Sequence, residues 1–415
     1  MKLMLRALPV LFSVLISATV AVYAQNDAEG FLLAAREDSE VKSVDNQIKY
    51  LDEKPYRLAP LQKIELRTAS NQLDPTRQEY GLRVNPANPW ELRNNNQYFR
   101  QYRSMLALER GVLLKEALYE RYLLLADLRY HQELKNVRQK ERELIDTYIG
   151  IMEQQQYSDF FDGEDYVKLK LDQIDRDVEA EEAAFERDDV ARQITTIYKT
   201  DTDPTAWKSD TLTFERMMMI VDSIFSVPAT PSTIAYHNER ITLAKKEYTL
   251  EKANVNLGFV QATYEEFRKA QGRHPWSISA GVTIPIFNPN KGDMAKRKIE
   301  MMEEEQEKQE VSTEQQTASI RAREQLRNLI KRYTSIQEKI KSLRVDNISK
   351  TLNTMQGNNP AVRIRLNANI LKLEIVAVKL KQSVYYAYIE FLAQMDVLQQ
   401  TPMINYFTSD LRAME

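Results

Sequence analysis

WSISAGVTIPIFNPNKG, residues 276–292, decides the fold. Its first half places Trp276, Ile278, Ala280, Val282, Ile284 and Ile286 at alternate positions, with Ser277, Ser279, Gly281 and Thr283 between them. That period of two predicts a strand with one apolar and one wet face. Asn288-Pro289-Asn290-Lys291-Gly292 then turns the chain, and a proline-free helical pattern runs from Asp293 to about Gln356. At 1.5 Å per residue such a helix spans about 96 Å.

Working outward, the stretch before it supplies a partner strand at Val255–Thr263, with Val255, Leu257 and Phe259 on one face, and a loop at Glu265–His274. A helix over Ser232–Lys252 leads in. Beyond the long helix, Gly357-Asn358-Asn359-Pro360 supplies a stop, an N-cap and an N1 proline, so the chain reverses and a return helix runs to Gln400. The first half of the chain follows the same plan. Residues 28–56 read as a helix, Leu61–Ala69 and Glu79–Asn85 as a hairpin, and Asn94 to about Gln156 as a long helix with a stripe at Leu106, Leu113, Leu114, Leu118, Leu124, Leu125 and Leu128. A turn at 157–163 leads to a second helix, Glu164–Ile194, carrying Val167, Leu171, Ile174 and Val178.

Gly81 to Val84 followed by Asn88-Pro89 stands 200 positions before Gly281 to Ile284 followed by Asn288-Pro289. An internal two-fold repeat is therefore expected. The domain plan is a signal peptide (1–24), a first repeat (25–200), a linker (201–231), a second repeat (232–402) and a C-terminal tail (403–415). In the linker, Pro204, Pro228 and Pro231 bracket a short helix with Met217, Met218 and Met219, which read as core filler.

Lys2 and Arg6 precede an apolar run ending near Val22, and Val22-Tyr23-Ala24 fits small-residue cleavage, so export is expected. The apolar run is short for a membrane anchor, and no later segment approaches twenty apolar residues, so any membrane crossing must use strands. With no Cys, the chain has no disulfides, thiolate metal sites or thiol nucleophile. A formal charge of −3 on 415 residues implies no nucleic-acid partner. His131, His237 and His274 lack metal-ligand spacing, Glu303-Glu304-Glu305 reads as a solvated helix face, and no catalytic fingerprint appears. No cofactor and no catalysis are expected.

Four strands per chain cannot close in lipid, where every edge must be paired, and about eight strands is the lower limit for a barrel. Three copies would supply twelve strands around a wet lumen, with Trp276 to Ile286 toward lipid and Ser277, Ser279, Gly281 and Thr283 inward. The long amphipathic helices would continue that tube by packing side by side.

SAGVTIPIFNPNKGDMAKRKIE (279–300), its counterpart GLRVNPANPWE (81–91) and the Leu366-Asn367-Ala368 step resemble the TolC family of outer membrane efflux proteins. The resemblance implies a mainly α fold with a small β part: long helical hairpins forming an α-barrel in the periplasm, and four strands per chain in a trimeric twelve-stranded outer membrane β-barrel. It also implies docking to a periplasmic adaptor and an inner membrane transporter. The family's last helix usually opens Leu-Asp-Ala, with acids at the periplasmic mouth; here Asn367 stands in that place, near Arg363 and Arg365. Asp159, Asp162, Glu164 and Asp165 on the first hairpin would form a negative rim, or would simply follow the acid preference of a helix N-terminus. Bonding of Arg363 or Arg365 to one of these acids would hold the mouth shut. A pore-free periplasmic scaffold is the competing reading, but it leaves the alternating strands unexplained; an enzyme framed by the helices lacks supporting residues.

Overall fold

The computed structural model describes residues 27–54, 56, 58–70, 76–154, 156–157, 161–207, 212–227, 231–253, 257–283, 290–345 and 360–414. The expected signal peptide, Asp159, Ile284, Ile286 and the reversal at 357–359 lie outside them, as does the side chain of Arg363. The elements are α1 (Asp27–Leu33), a 3-10 turn (Ala34–Glu37), α2 (Ser39–Glu53), β1 (Leu61–Ser70), β2 (Gln78–Pro86), α3 (Pro89–Gln154) and α4 (Gly163–Tyr198). After a short 3-10 turn (Pro204–Ala206) come α5 (Phe214–Ser226), α6 (Ser232–Ala253), β3 (Gly258–Glu265), α7 (Phe267–Ala270), β4 (Trp276–Val282), α8 (Lys291–Val345) and α9 (Pro360–Gln394). The fold is thus mainly helical with one small antiparallel sheet, in the order β1-β2-β3-β4.

Two compact units share the chain. One takes its described residues from within Ser39–Leu113 and Thr230–Glu314, and contains the whole sheet. There Asn88 caps α3: its Oδ1 accepts from Trp90 N at 3.0 Å, and its Nδ2 donates to the Ala253 carbonyl at the end of α6 at 2.7 Å. Pro89 takes the first helical position, where its missing N–H costs nothing. Asn290 stands just before the other long helix, its Nδ2 donating to the Glu251 carbonyl at 3.1 Å and its own carbonyl accepting from Met294 N at 2.9 Å. Two asparagines therefore tie the starts of both long helices to the last turn of α6.

The other unit draws on Met1–Asp38, Leu114–Ala229 and Gln315–Glu415. Its core is aromatic: Tyr122, Tyr388 and Phe391 are fully buried, and Tyr122 meets Phe407 edge-on at 5.0 Å. The Leu stripe of α3 is buried at Leu114, Leu118, Leu125 and Leu128, as the periodicity requires. Of the three consecutive methionines, Met217 is fully buried and Met219 is exposed, so the triplet is core filler on one side only.

The structure departs from the sequence reading in three places. The expected helix over 28–56 is broken at Ala34–Glu37, where Arg121 donates to Asp38 at 2.9 Å and tethers the turn. The strand expected at Val255–Thr263 is β3, Gly258–Glu265, and Phe259 points to the opposite face from Val260, Ala262 and Tyr264. The return helix α9 ends at Gln394 rather than Gln400, whereas the expected end of α8 near Gln356 lies outside the described residues.

Candidate channel wall and entrance

Register places the side chains of the sheet in rows. Leu66, Leu82, Ala262 and Ile278 lie in one row; Ile64, Val84, Val260 and Ala280 in the next; Thr68, Tyr80, Tyr264 and Trp276 in a third. Because side chains alternate along a strand, all three rows share one face. That face is bare: Leu66 is 85% exposed, and Ile278 and Val282 are 80% exposed. At one end it finishes in aromatics, with the Tyr264 and Trp276 rings 4.9 Å apart.

The opposite face carries Glu65, Arg83, Gln261 and Ser279 in one row, and Arg67, Gly81, Thr263 and Ser277 in the next. These polar groups cover one another. Glu65 binds Lys63 at 2.6 Å and Arg67 at 2.7 Å, and Glu265 is buried while binding Arg268 at 2.5 Å. Arg83 lies 3.4 Å over the ring of Phe259. Gly281 is the position opposite Phe259; a Cβ there would sit 2.5 Å from that ring. Gly258, with φ of +120°, is needed for another reason, since a Cβ would meet the Gly281 carbonyl oxygen at 1.9 Å. The apolar side chains stand in the open, while on the polar face Glu65 and Arg83 are half-buried and Lys63 and Arg67 remain exposed.

Trp276, Ile278, Ala280 and Val282 of the expected lipid face lie together on the bare face, and Ser277, Ser279 and Gly281 on the polar one. Thr283 follows β4, its N–H donating to the Leu257 carbonyl at 3.1 Å. Sequence reasoning missed Tyr264 and the pairing of Arg83 with Phe259. The alternation Val260, Ala262, Tyr264 was the available signal.

At the other candidate location, Asp162 caps α4, its carboxylate accepting from the N–H groups of Glu164 at 2.9 Å and Asp165 at 3.2 Å. The acid preference of a helix start therefore accounts for Asp162. Glu164 pairs with Lys168 at 2.6 Å. Asp165 is left for α9: Arg365 approaches it to 3.7 Å, with both side chains largely in solvent. Both line a cleft of about 270 Å³ together with Ile145, Tyr148, Leu169 and Ile364. Asn367 is exposed on the same helix. Below the cap, Ile149, Met152 and Leu169 pack with Phe161 and Tyr166, which holds the end of the hairpin in place.

One grouping has no counterpart in the sequence reading. His237 on α6 meets Glu304 and Glu307 on α8. Burial lowers the pKa of His237 and raises that of Glu304, the latter opposed by the Arg240 guanidinium. The 67 positions between them hide the pairing from any local spacing rule.

Among the described residues no helix is long and apolar enough to cross a membrane. No family profile and no curated protein sequence matches the chain. Solved structures do match. The outer-membrane channel OprN superposes with a TM-score of 0.68 at 10% identity, covering 89% of each chain. The Campylobacter jejuni CmeC outer membrane channel gives 0.67 at 11% identity, over 89% of this chain and 86% of that one. The Neisseria gonorrhoeae MtrE outer membrane channel, in an open state, gives 0.64 at 10% identity over 89% and 88%. The chain has the fold of these TolC-like channels.

Proposed function

We propose that the chain is one subunit of a passive outer membrane export duct. The observation that carries this is the sheet: one exposed apolar face, one polar face, and outer edges on β1 and β4 with no partner strand among the described residues. An open strand edge cannot remain in hydrocarbon, so the sheet must close with other copies. Three copies give twelve strands. Their apolar rows would contact lipid, the aromatic row at one end would sit at an interface, and the Glu65, Arg83, Gln261 and Ser279 row would line water.

The helices support the same reading. Val167, Leu171, Ile174, Val178 and Phe185 of α4 recur at helical spacing, and all are exposed. A neighbouring copy would cover such a stripe. At 1.5 Å per residue, the 66 residues of α3 would carry the wall about 99 Å into the periplasm. By likeness to the solved channels, an adaptor and an inner membrane pump would supply the cargo and the energy; the duct itself performs no reaction. At the periplasmic mouth, the Arg365–Asp165 contact would help hold the closed state, the charged side chains there setting ion preference.

The test is direct. Purified from the membrane fraction, the protein is expected to run as a detergent-resistant trimer and to conduct ions in planar bilayers. A water-soluble monomer that never conducts would overturn the proposal and favour a pore-free scaffold.

A further inference from the structure

α6 and the part of α8 up to Glu314 run antiparallel, side by side, in the unit that holds the sheet. Arg297 pairs with Glu247 at 2.9 Å, while Arg240 pairs with Glu304 and, at 3.4 Å, with Glu307. His237 lies one helical turn before Arg240. A ring nitrogen of His237 and one carboxylate oxygen from each of Glu304 and Glu307 all lie within 4.8 Å of one another. His237 is only 6% exposed, and its Nδ1 has no hydrogen-bond partner. The Oε2 atom of Glu304 is also buried without one. Buried polar atoms are nearly always satisfied, so two orphans in one three-residue cluster point to a missing ligand.

We propose that His237, Glu304 and Glu307 form a zinc site joining α6 to α8. One imidazole and two carboxylates are three protein ligands for a tetrahedral ion, with water as the fourth. The imidazole favours zinc over magnesium or calcium, which take all-oxygen sets. Glu304 and Glu307 sit three residues apart, so both reach the same side of α8. Ligand bonds of 2.0–2.2 Å bring the donor atoms to about 3.4 Å apart, a side-chain adjustment from their present spacing. Arg240 now neutralises the two carboxylates. Zinc takes over that role, and the guanidinium, already one-third exposed, turns out to solvent. Because α6 leads into β3 and α8 follows β4, the ion ties together the two helical supports of the second strand pair. The site stands whether or not the chain assembles into a duct.

The experiment uses the full chain in detergent, stripped with chelator and titrated calorimetrically with zinc alone. One zinc per chain should bind with micromolar affinity or better and raise the melting temperature. His237→Asn and the exposed Glu307→Gln should each weaken binding by about a hundredfold. Arg240→Gln, which removes a competing cation, should tighten it by about tenfold. Should His237→Asn fail to fold, Glu307→Gln and Arg240→Gln decide the matter. No saturable zinc binding, unchanged affinity in Glu307→Gln, weaker binding in Arg240→Gln, or equal binding of magnesium would each overturn the site.

Discussion

The C-terminal aromatic core and the four-stranded sheet use similar side chains to opposite ends. In the core, Tyr122 donates to the Ile404 carbonyl at 3.1 Å, Tyr388 donates to that of Tyr406 at 3.3 Å, and Phe407 packs against both Tyr122 and Tyr385. Burial pushes the Tyr388 hydroxyl well above its ordinary pKa, so it remains a donor at any physiological pH. Residues 403–414 fold back to cover this core with Met403, Tyr406, Phe407 and Met414. In the sheet, Leu66, Ile278 and Val282 stay bare. The first region is covered by its own chain; the second leaves its apolar face uncovered among the described residues. Exposed apolar area in one coherent patch signals an environment, whereas the same residues under cover signal stability.

The largest expected effect tests the completed side of this contrast. Tyr388→Ala should cost about 3–5 kcal/mol in denaturant unfolding, because the cavity is enclosed on all sides. A loss below about 1 kcal/mol would show that the core is not the stabilising centre. Next, Ile278→Arg should destabilise refolding into lipid vesicles by about 2–4 kcal/mol, while Ser279→Arg one position away should be nearly neutral. Equal costs at both positions would erase the distinction between the two faces. A smaller change is expected from Asp162→Ala, about 1 kcal/mol, since the N–H groups of Glu164 and Asp165 lose their cap. Smallest in stability is Arg365→Glu, at most about 1 kcal/mol for so exposed a pair. Its effect should instead appear as raised single-channel conductance, and a wild-type conductance would remove the contact from the closed state.

Much of this was legible beforehand. The alternation at Leu61–Ala69 and Glu79–Asn85 forms strands, as does that expected over Trp276–Phe287 as far as Val282, and the long proline-free patterns form helices, because each rule needs only the local period. β3 was harder to place. Val255, Leu257 and Phe259 also alternate, and the pattern gives no sign that Arg83 and a Cβ-free Gly281 make a place for Phe259 on the polar side. A one-residue displacement in parity moves every side chain to the other face. The break at Ala34–Glu37 depends on Arg121, far along the sequence, and the His237 cluster on helices brought together only by folding. What the sequence hid, in each case, was a tertiary partner.

The outer edges of β1 and β4, without a partner strand among the described residues, have a further consequence if the proposed assembly holds. A lone subunit would carry a ten-residue strand on one rim and a seven-residue strand on the other, about every second residue turning its N–H and C=O outward, beside the exposed apolar rows. Such rims join promiscuously with any extended peptide they meet. On the proposed assembly, a subunit not yet joined to its neighbours would be most open to such mispairing, and rapid encounter with another copy would remove the hazard.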